Sequence, residues 1–244
     1  MKRYFIEISY NGELYHGWQV QPNAMSVQEE IETVLTRLNS NSKVDVVGCG
    51  RTDAGVHAHH YIFHIDLDLK LTFSDFLFKA NKMLSDNISF HNICEVQEDK
   101  HARFSAKKRT YRYFIHNKKN PFKHKLSWYN SKSFNLEKMN ESASLLIGTK
   151  DFTSFSKVNT DVKTNICSVY EAKWVKVNEN EFYFEISADR FLRNMVRAIV
   201  GTLLEVGIEN IEPDHIETIL KLKDRGEAAL SVPAHGLFLW EIIY

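Results

Sequence analysis

The chain has 244 residues, enough for one large domain or two modest ones, each with its own core. Apolar residues make up 43% and charged residues 25%, the composition of a folded protein, and no apolar run reaches the length of a membrane span. Cations and anions balance at 31 each and the three cysteines (Cys49, Cys94, Cys167) are far apart, which excludes a uniformly basic polyanion binder and a disulfide-framed secreted module.

Lys2 to Tyr10 alternates as a strand, with Tyr4, Ile6 and Ile8 on one side. Ser26 and Glu29 form a capping box ahead of a helix whose apolar face is Val27, Ile31, Val34, Leu35 and Leu38. Strands are expected over 43–48 and 60–67. Ser74 is the expected cap of a helix through Leu84, with Phe76, Leu77, Ala80 and Met83 inward. Ile88 to Val96 is a further strand. The resulting β-α-β-β-α-β order is that of a ferredoxin-like unit.

The second half reads as a variation on the first. Arg109 to Ile115 alternates as a strand. Asn135 caps a helix with Leu136, Met139, Ala143 and Leu146 inward, and Gly148 is the expected stop. Val169–Val177 and Phe182–Ile186 flank a hairpin turn at Asn178-Glu179-Asn180. A long apolar helix is expected from Arg190 to Val206, a short one from Pro213 to Leu222, and a closing strand from Leu237 to Ile243. The fold expected is α+β, built from two ferredoxin-like halves (1–103 and 104–244) with antiparallel sheets joined into one extended sheet and a central catalytic cleft.

Charge is unevenly placed. Ten of the 31 cations fall between Lys100 and Lys125, where there is no Asp or Glu, leaving 21 cations against 31 anions elsewhere. Phe104, Tyr111, Tyr113, Phe114 and Phe122 are interleaved with them. Cations reach phosphates and aromatic faces stack on unpaired bases, so the mixture suits RNA; a solvated strand pair rich in lysine is the competing interpretation. In the long helix, Arg197 and Glu205 are the only charges between Met195 and Val206. A guanidinium there requires a partner, and Glu205 lies too far along the helix to be one. Asp53, another carboxylate, or escape to the helix edge each satisfy that requirement.

Residues 48–58 carry the most chemistry: Gly48-Cys49-Gly50-Arg51-Thr52-Asp53-Ala54-Gly55-Val56-His57-Ala58. Three glycines between two strand patterns mark a tight connection. Within it Arg51 and Asp53 are two apart, so an extended backbone puts cation and anion on one side, where the cation favours and orients the charged carboxylate. A capped turn with a solvated arginine is the plainer interpretation of such a loop.

Gly50 to Ala58, nine consecutive residues, resembles the signature of the tRNA pseudouridine synthase A family. The resemblance makes Asp53 the catalytic nucleophile, with Arg51 assisting it. Tyr111-Arg112-Tyr113 resembles the family's Tyr-Arg-Tyr motif, whose first Tyr contacts the target nucleotide. Met195-Val196-Arg197 with Ile199-Val200-Gly201 and Glu205-Val206-Gly207 resembles the motif whose Arg pairs with the catalytic Asp. Tyr10 to Gln21, Asp151 to Phe155 and Ala234 to Leu237 resemble further family segments. Asn11 stands where the family has Asp, and Leu230-Ser231-Val232 departs from its small-residue and Thr pattern. His59-His60 replaces an expected Gly-Gln and is assigned to the cleft wall, tuning RNA contacts.

The resemblance implies isomerisation of uridine to pseudouridine at positions 38, 39 and 40 of the tRNA anticodon stem-loop. It implies catalysis by Asp53, with Arg51, Tyr111 and Arg197 binding the RNA, no metal and no cofactor. The partners implied are tRNA and a second copy of the chain in a homodimer, with no membrane. The free thiols and the absence of a signal-peptide pattern place it in the cytoplasm. Two other interpretations stay open at this point: a metal-dependent hydrolase using His57, His59, His60 and His64, and a non-catalytic RNA-binding module.

Overall fold

The computed structural model describes residues 1–158 and 163–244. In chain order the elements are β1 (Lys2–Tyr10), α1 (Val27–Leu38), β2 (Val47–Gly48), β3 (His57–Leu67), α2 (Phe73–Met83), β4 (Ile88–Val96) and β5 (Lys108–His116). They continue with β6 (Trp128–Tyr129), α3 (Leu136–Ser144), β7 (Gly148–Asp151), β8 (Ile166–Asn178), β9 (Glu181–Ala188), α4 (Met195–Gly207), α5 (His215–Leu222) and β10 (Leu237–Ile243). The class is α+β.

The chain divides into two compact units, Met1–Lys107 with Phe238–Tyr244, and Lys108–Leu237. The division differs from 1–103 and 104–244 in one important respect: the last strand belongs to the first unit. In that unit β4, β1 and β3 are antiparallel neighbours, and β2 and β10 share the far edge of β3. The order β4-β1-β3-β2 is the ferredoxin-like one. β10 runs parallel to β3, pairing Phe238 with His57 and Leu239 with Ala58, so this sheet is mixed rather than wholly antiparallel. Val27, Ile31, Val34 and Leu35 of α1 are buried, as are Ile6 and Ile8 of β1 and Phe63 and Ile65 of β3. Each such side chain contributes on the order of 2 kcal/mol by leaving water.

The second unit orders its strands β5-β9-β8-β7, all antiparallel, with β6 parallel beside β5. The hairpin falls where the Asn-rich turn requires, Asn178 pairing with Glu181. Eleven of the 13 residues of α4 are buried, in keeping with its apolar circumference.

Several boundaries differ from the sequence expectation for identifiable reasons. The strand over 43–48 shrinks to Val47–Gly48, because the Val44 and Val46 N–H groups donate instead to Thr36 Oγ1 (3.2 Å) and Glu32 Oε1 (3.1 Å) on α1. Thr72, not Ser74, caps α2 by accepting from the Asp75 N–H (3.1 Å); this phase buries Phe76 and Ala80 but leaves Met83 exposed. α3 stops at Ser144, ahead of Gly148, which opens β7 with a φ of 103°. α4 begins at Met195 rather than Arg190, because Asn194 is left-handed (φ 68°) and interrupts any helix entering from that side. α5 starts at His215, two residues after Pro213.

Candidate active site

Asp53 and Arg51 lie in the first unit, Tyr111 and Arg197 in the second.

The Asp53 loop leaves β2, passes through Cys49 to Val56 and enters β3. Residues 10–18 and Tyr61 hold its backbone at several points. Trp18 N–H donates to the Thr52 carbonyl (3.2 Å) and Gly55 N–H to the Tyr15 carbonyl (3.3 Å). Val56 N–H returns to the Asp53 carbonyl (3.1 Å), closing a turn in which Gly55 has a φ of 75°. Tyr61 Oη donates to the Gly50 carbonyl (2.5 Å), and its ring stacks on Trp18 with centroids 4.1 Å apart. The Tyr10 and Thr52 hydroxyls meet at 2.9 Å in a buried position beside Asp53. Gly12 N–H donates to His57 Nδ1 (3.0 Å), and the His57 ring stacks on Phe238. Asp53 itself is half-buried.

Arg51 is exposed, and among the described residues it makes no ion pair with Asp53. The Arg51 charge lies at the solvent-exposed surface of the loop.

In the second unit Tyr111 is half-buried on β5, its ring edge-on to Phe191 (5.0 Å, 85°). Tyr113, two residues on, is fully buried, and its hydroxyl donates to the Pro233 carbonyl (2.8 Å). Burial pushes the Tyr113 phenol far up, opposed by the charge of Arg197. Arg197 is half-buried on the first turns of α4, with Nε donating to the Val232 carbonyl (2.7 Å) and its own carbonyl accepting from Val232 N–H (3.2 Å). Segment 228–233 lies directly on the helix: Ala229 N–H donates to Thr202 Oγ1 (3.1 Å), and a Cβ on Gly201 would sit 2.0 Å from the Leu230 carbonyl oxygen. Arg197 is thus bonded by an irregular segment that nothing in its own helix announces.

The basic stretch splits into two populations. Arg112 pairs with Glu185 (2.6 Å) and lies over the Tyr183 ring, Arg109 donates to the Asp189 carbonyl (2.7 Å), and Lys123 pairs with Glu181 (2.7 Å). Lys100, Arg103, Lys107, Lys118 and Lys119 are exposed. Aromatic stacking partners follow the same division, with Tyr113 in the core and Phe104 and Phe122 outside.

The histidines serve packing. Nδ1 of His57, His60 and His64 accepts a backbone N–H, from Gly12 (3.0 Å), Ile242 (3.2 Å) and Ala102 (3.1 Å) respectively. His59 stacks on Trp240 (4.1 Å). His59 and His60 fasten β10 to β3. Among the described residues no group of three or more His, Cys, Asp or Glu side chains is placed to hold a metal ion, so the cluster required by a metal hydrolase is not assembled.

The family whose model matches residues 142–244 is described as tRNA pseudouridine synthase. Proteins named tRNA pseudouridine synthase A are similar over far more of the chain. That of Parabacteroides distasonis is 47% identical, covering 100% of this chain and 96% of the relative. That of Porphyromonas gingivalis is 45% identical over 100% and 98%, and that of Bacillus subtilis 40% identical over 97% and 97%. The chain belongs to the tRNA pseudouridine synthase A family.

Proposed function

We propose that this chain isomerises uridine to pseudouridine at positions 38, 39 and 40 of the tRNA anticodon stem-loop, with Asp53 as the essential nucleophile. The reaction breaks the C1′–N1 bond, turns the uracil and makes a C1′–C5 bond; the hydrogen lost from C5 is balanced by one gained at N1. No atom is added or removed overall. The carboxylate must reach a nucleotide taken out of its stack.

The observation carrying this reading is the Asp53 loop: a nine-residue family signature whose backbone is clamped from both sides while one carboxylate stays half-buried. A nucleophile fixed through its backbone keeps its position while its side chain reacts. Arg51, facing solvent, supplies a charge for the RNA backbone; Tyr111 presents a ring to the extruded base; Arg197 serves as the anion-binding group of α4. The enzyme acts as a homodimer in the cytoplasm, and its cationic surface residues hold the tRNA.

The test is Asp53→Asn, which removes charge and keeps shape. Pseudouridine formation in a tRNA transcript, mapped nucleotide by nucleotide, should fall below detection while tRNA affinity changes less than about threefold. Turnover above a few per cent of the parent refutes the nucleophile assignment, and product at positions other than 38 to 40 refutes the site assignment.

A further inference from the structure

The turn between β5 and β6 is unusual for what it shows to solvent. Phe122 is 90% exposed, more than any other aromatic residue among the described residues, and Leu126 (41%) and Tyr129 (47%) are exposed nearby in sequence. A phenylalanine left in water gains nothing from the hydrophobic effect, and one held rigidly there is more informative than one on a loose loop. This one is held rigidly. Asn120 Oδ1 accepts from the Phe122 N–H (3.0 Å), Pro121 opens the single helical turn, and Lys123 is tied to Glu181 (2.7 Å). At the base, Asn117 N–H donates to the Asn180 carbonyl (2.9 Å) and His116 Nδ1 meets Ser127 Oγ (2.9 Å).

The charge around the ring has one sign. Residues 118–125 carry four lysines and a histidine and no acid. Lys118, Lys119 and His124 are exposed. The neighbouring carboxylates are already occupied, Glu181 by Lys123 and Glu179 by Lys176 (2.8 Å). An exposed aromatic face flanked by unpaired lysines matches the needs of an RNA strand, a π-surface for a base and cations for the phosphates on either side.

We infer that this turn is a second RNA-contact point, in which Phe122 stacks on an unpaired base and Lys118 and Lys119 bind the adjoining phosphates. The inference rests on tRNA being the substrate. The turn begins one residue after His116, five strand residues from Tyr111, or about 17 Å along β5. That is too far to touch the nucleotide that Tyr111 contacts, so the turn reads a different part of the same molecule and acts on binding rather than chemistry.

The experiment compares the full-length enzyme with Phe122→Ala, Phe122→Trp and the double variant Lys118→Ala/Lys119→Ala on full-length tRNA. Phe122→Ala should raise KM about tenfold with kcat unchanged. Phe122→Trp should restore KM. The double lysine variant should lower the slope of log affinity against log salt by about two. Unchanged KM and salt slope in all three overturns the inference. So does an altered sedimentation coefficient of Phe122→Ala with unchanged tRNA affinity, which would assign the patch to a protein contact. Absence of pseudouridine formation by the parent enzyme would instead strike the proposed function, so the two failures are told apart.

Discussion

The hydroxyls of Tyr10 and Thr52 lie 2.9 Å apart in a buried contact, linking the last residue of β1 to the residue before Asp53. Neither side chain needs to touch RNA to matter. Thr52 is 8% exposed, so its hydroxyl has little water to turn to if Tyr10 loses its own. Tyr10→Phe should cost about 1 kcal/mol of stability, the usual net value of such a bond. If the contact also holds the loop in register, kcat should fall several-fold while KM for tRNA stays put. Urea titration and steady-state kinetics on the same preparation separate the two effects; a variant with lost stability and full kcat would limit the pair to packing.

Gly17 offers a sharper test of the same clamp. Its φ is 93°, and a Cβ placed there would stand 2.5 Å from the Thr52 carbonyl oxygen. Ala at this position meets both a strained backbone and a backbone clash, so Gly17→Ala should destabilise the protein by roughly 2 kcal/mol or more and depress turnover sharply. Gly50 is the matched control. It lies in the same region with nothing within 4 Å of the equivalent Cβ, and Gly50→Ala should change melting temperature little. Equal behaviour of the two variants would argue that the loop is not held by close approach of segment 10–18.

Most of the first unit is legible in the sequence because its signals are local: alternation in β1, the Ser26 box, and the glycines around Asp53. What escapes is set by distant partners. Val44 and Val46 look like strand residues and bury like them, yet their N–H groups are taken by side chains of α1. Asn194 ends the upstream extension of α4 through a left-handed φ that many sequences would avoid. In the candidate site, Asp53, Tyr111 and Arg197 stand out by motif, whereas the Val232 carbonyl that orients Arg197 comes from 35 residues away.

Basic residues that look alike in sequence should separate on substitution. Arg112 pairs with Glu185, whose side chain is only 11% exposed, at 2.6 Å. Arg112→Ala leaves that carboxylate with Lys173 alone, 3.4 Å away, and should destabilise by roughly 1–3 kcal/mol. Its effect on the salt dependence of tRNA binding should be small. Lys107 is exposed, so Lys107→Ala should leave the melting temperature unchanged and reduce the salt slope by about one. Arg109 bonds the Asp189 carbonyl at 2.7 Å, so its removal mixes both effects and is a poor probe of RNA binding. Reversed outcomes for Arg112 and Lys107 would mean that the division into paired and exposed cations does not govern tRNA binding.

Acid sensitivity should trace to His64. Burial, the charge of Arg3 and the neighbouring His101 lower its pKa to about 4, against an ordinary 6.5, with Asp66 pulling the other way. The geometry agrees, since Nδ1 accepts the Ala102 N–H at 3.1 Å and cannot do so when protonated. The unfolded chain therefore takes up this proton near pH 6.5 and the folded chain only near pH 4. Stability from the neutral ring is complete above about pH 6.5 and declines as pH falls toward 4, by roughly 3 kcal/mol in all. The bond at risk is one of two that hold Ala102, whose carbonyl accepts from Tyr244 Oη at 2.7 Å. His64→Asn keeps an acceptor near the Ala102 N–H and removes the titration. Unfolding free energies measured by urea at steps from pH 7 to pH 4 should decline less steeply in that variant than in the parent; parallel declines would assign the acid lability to other groups.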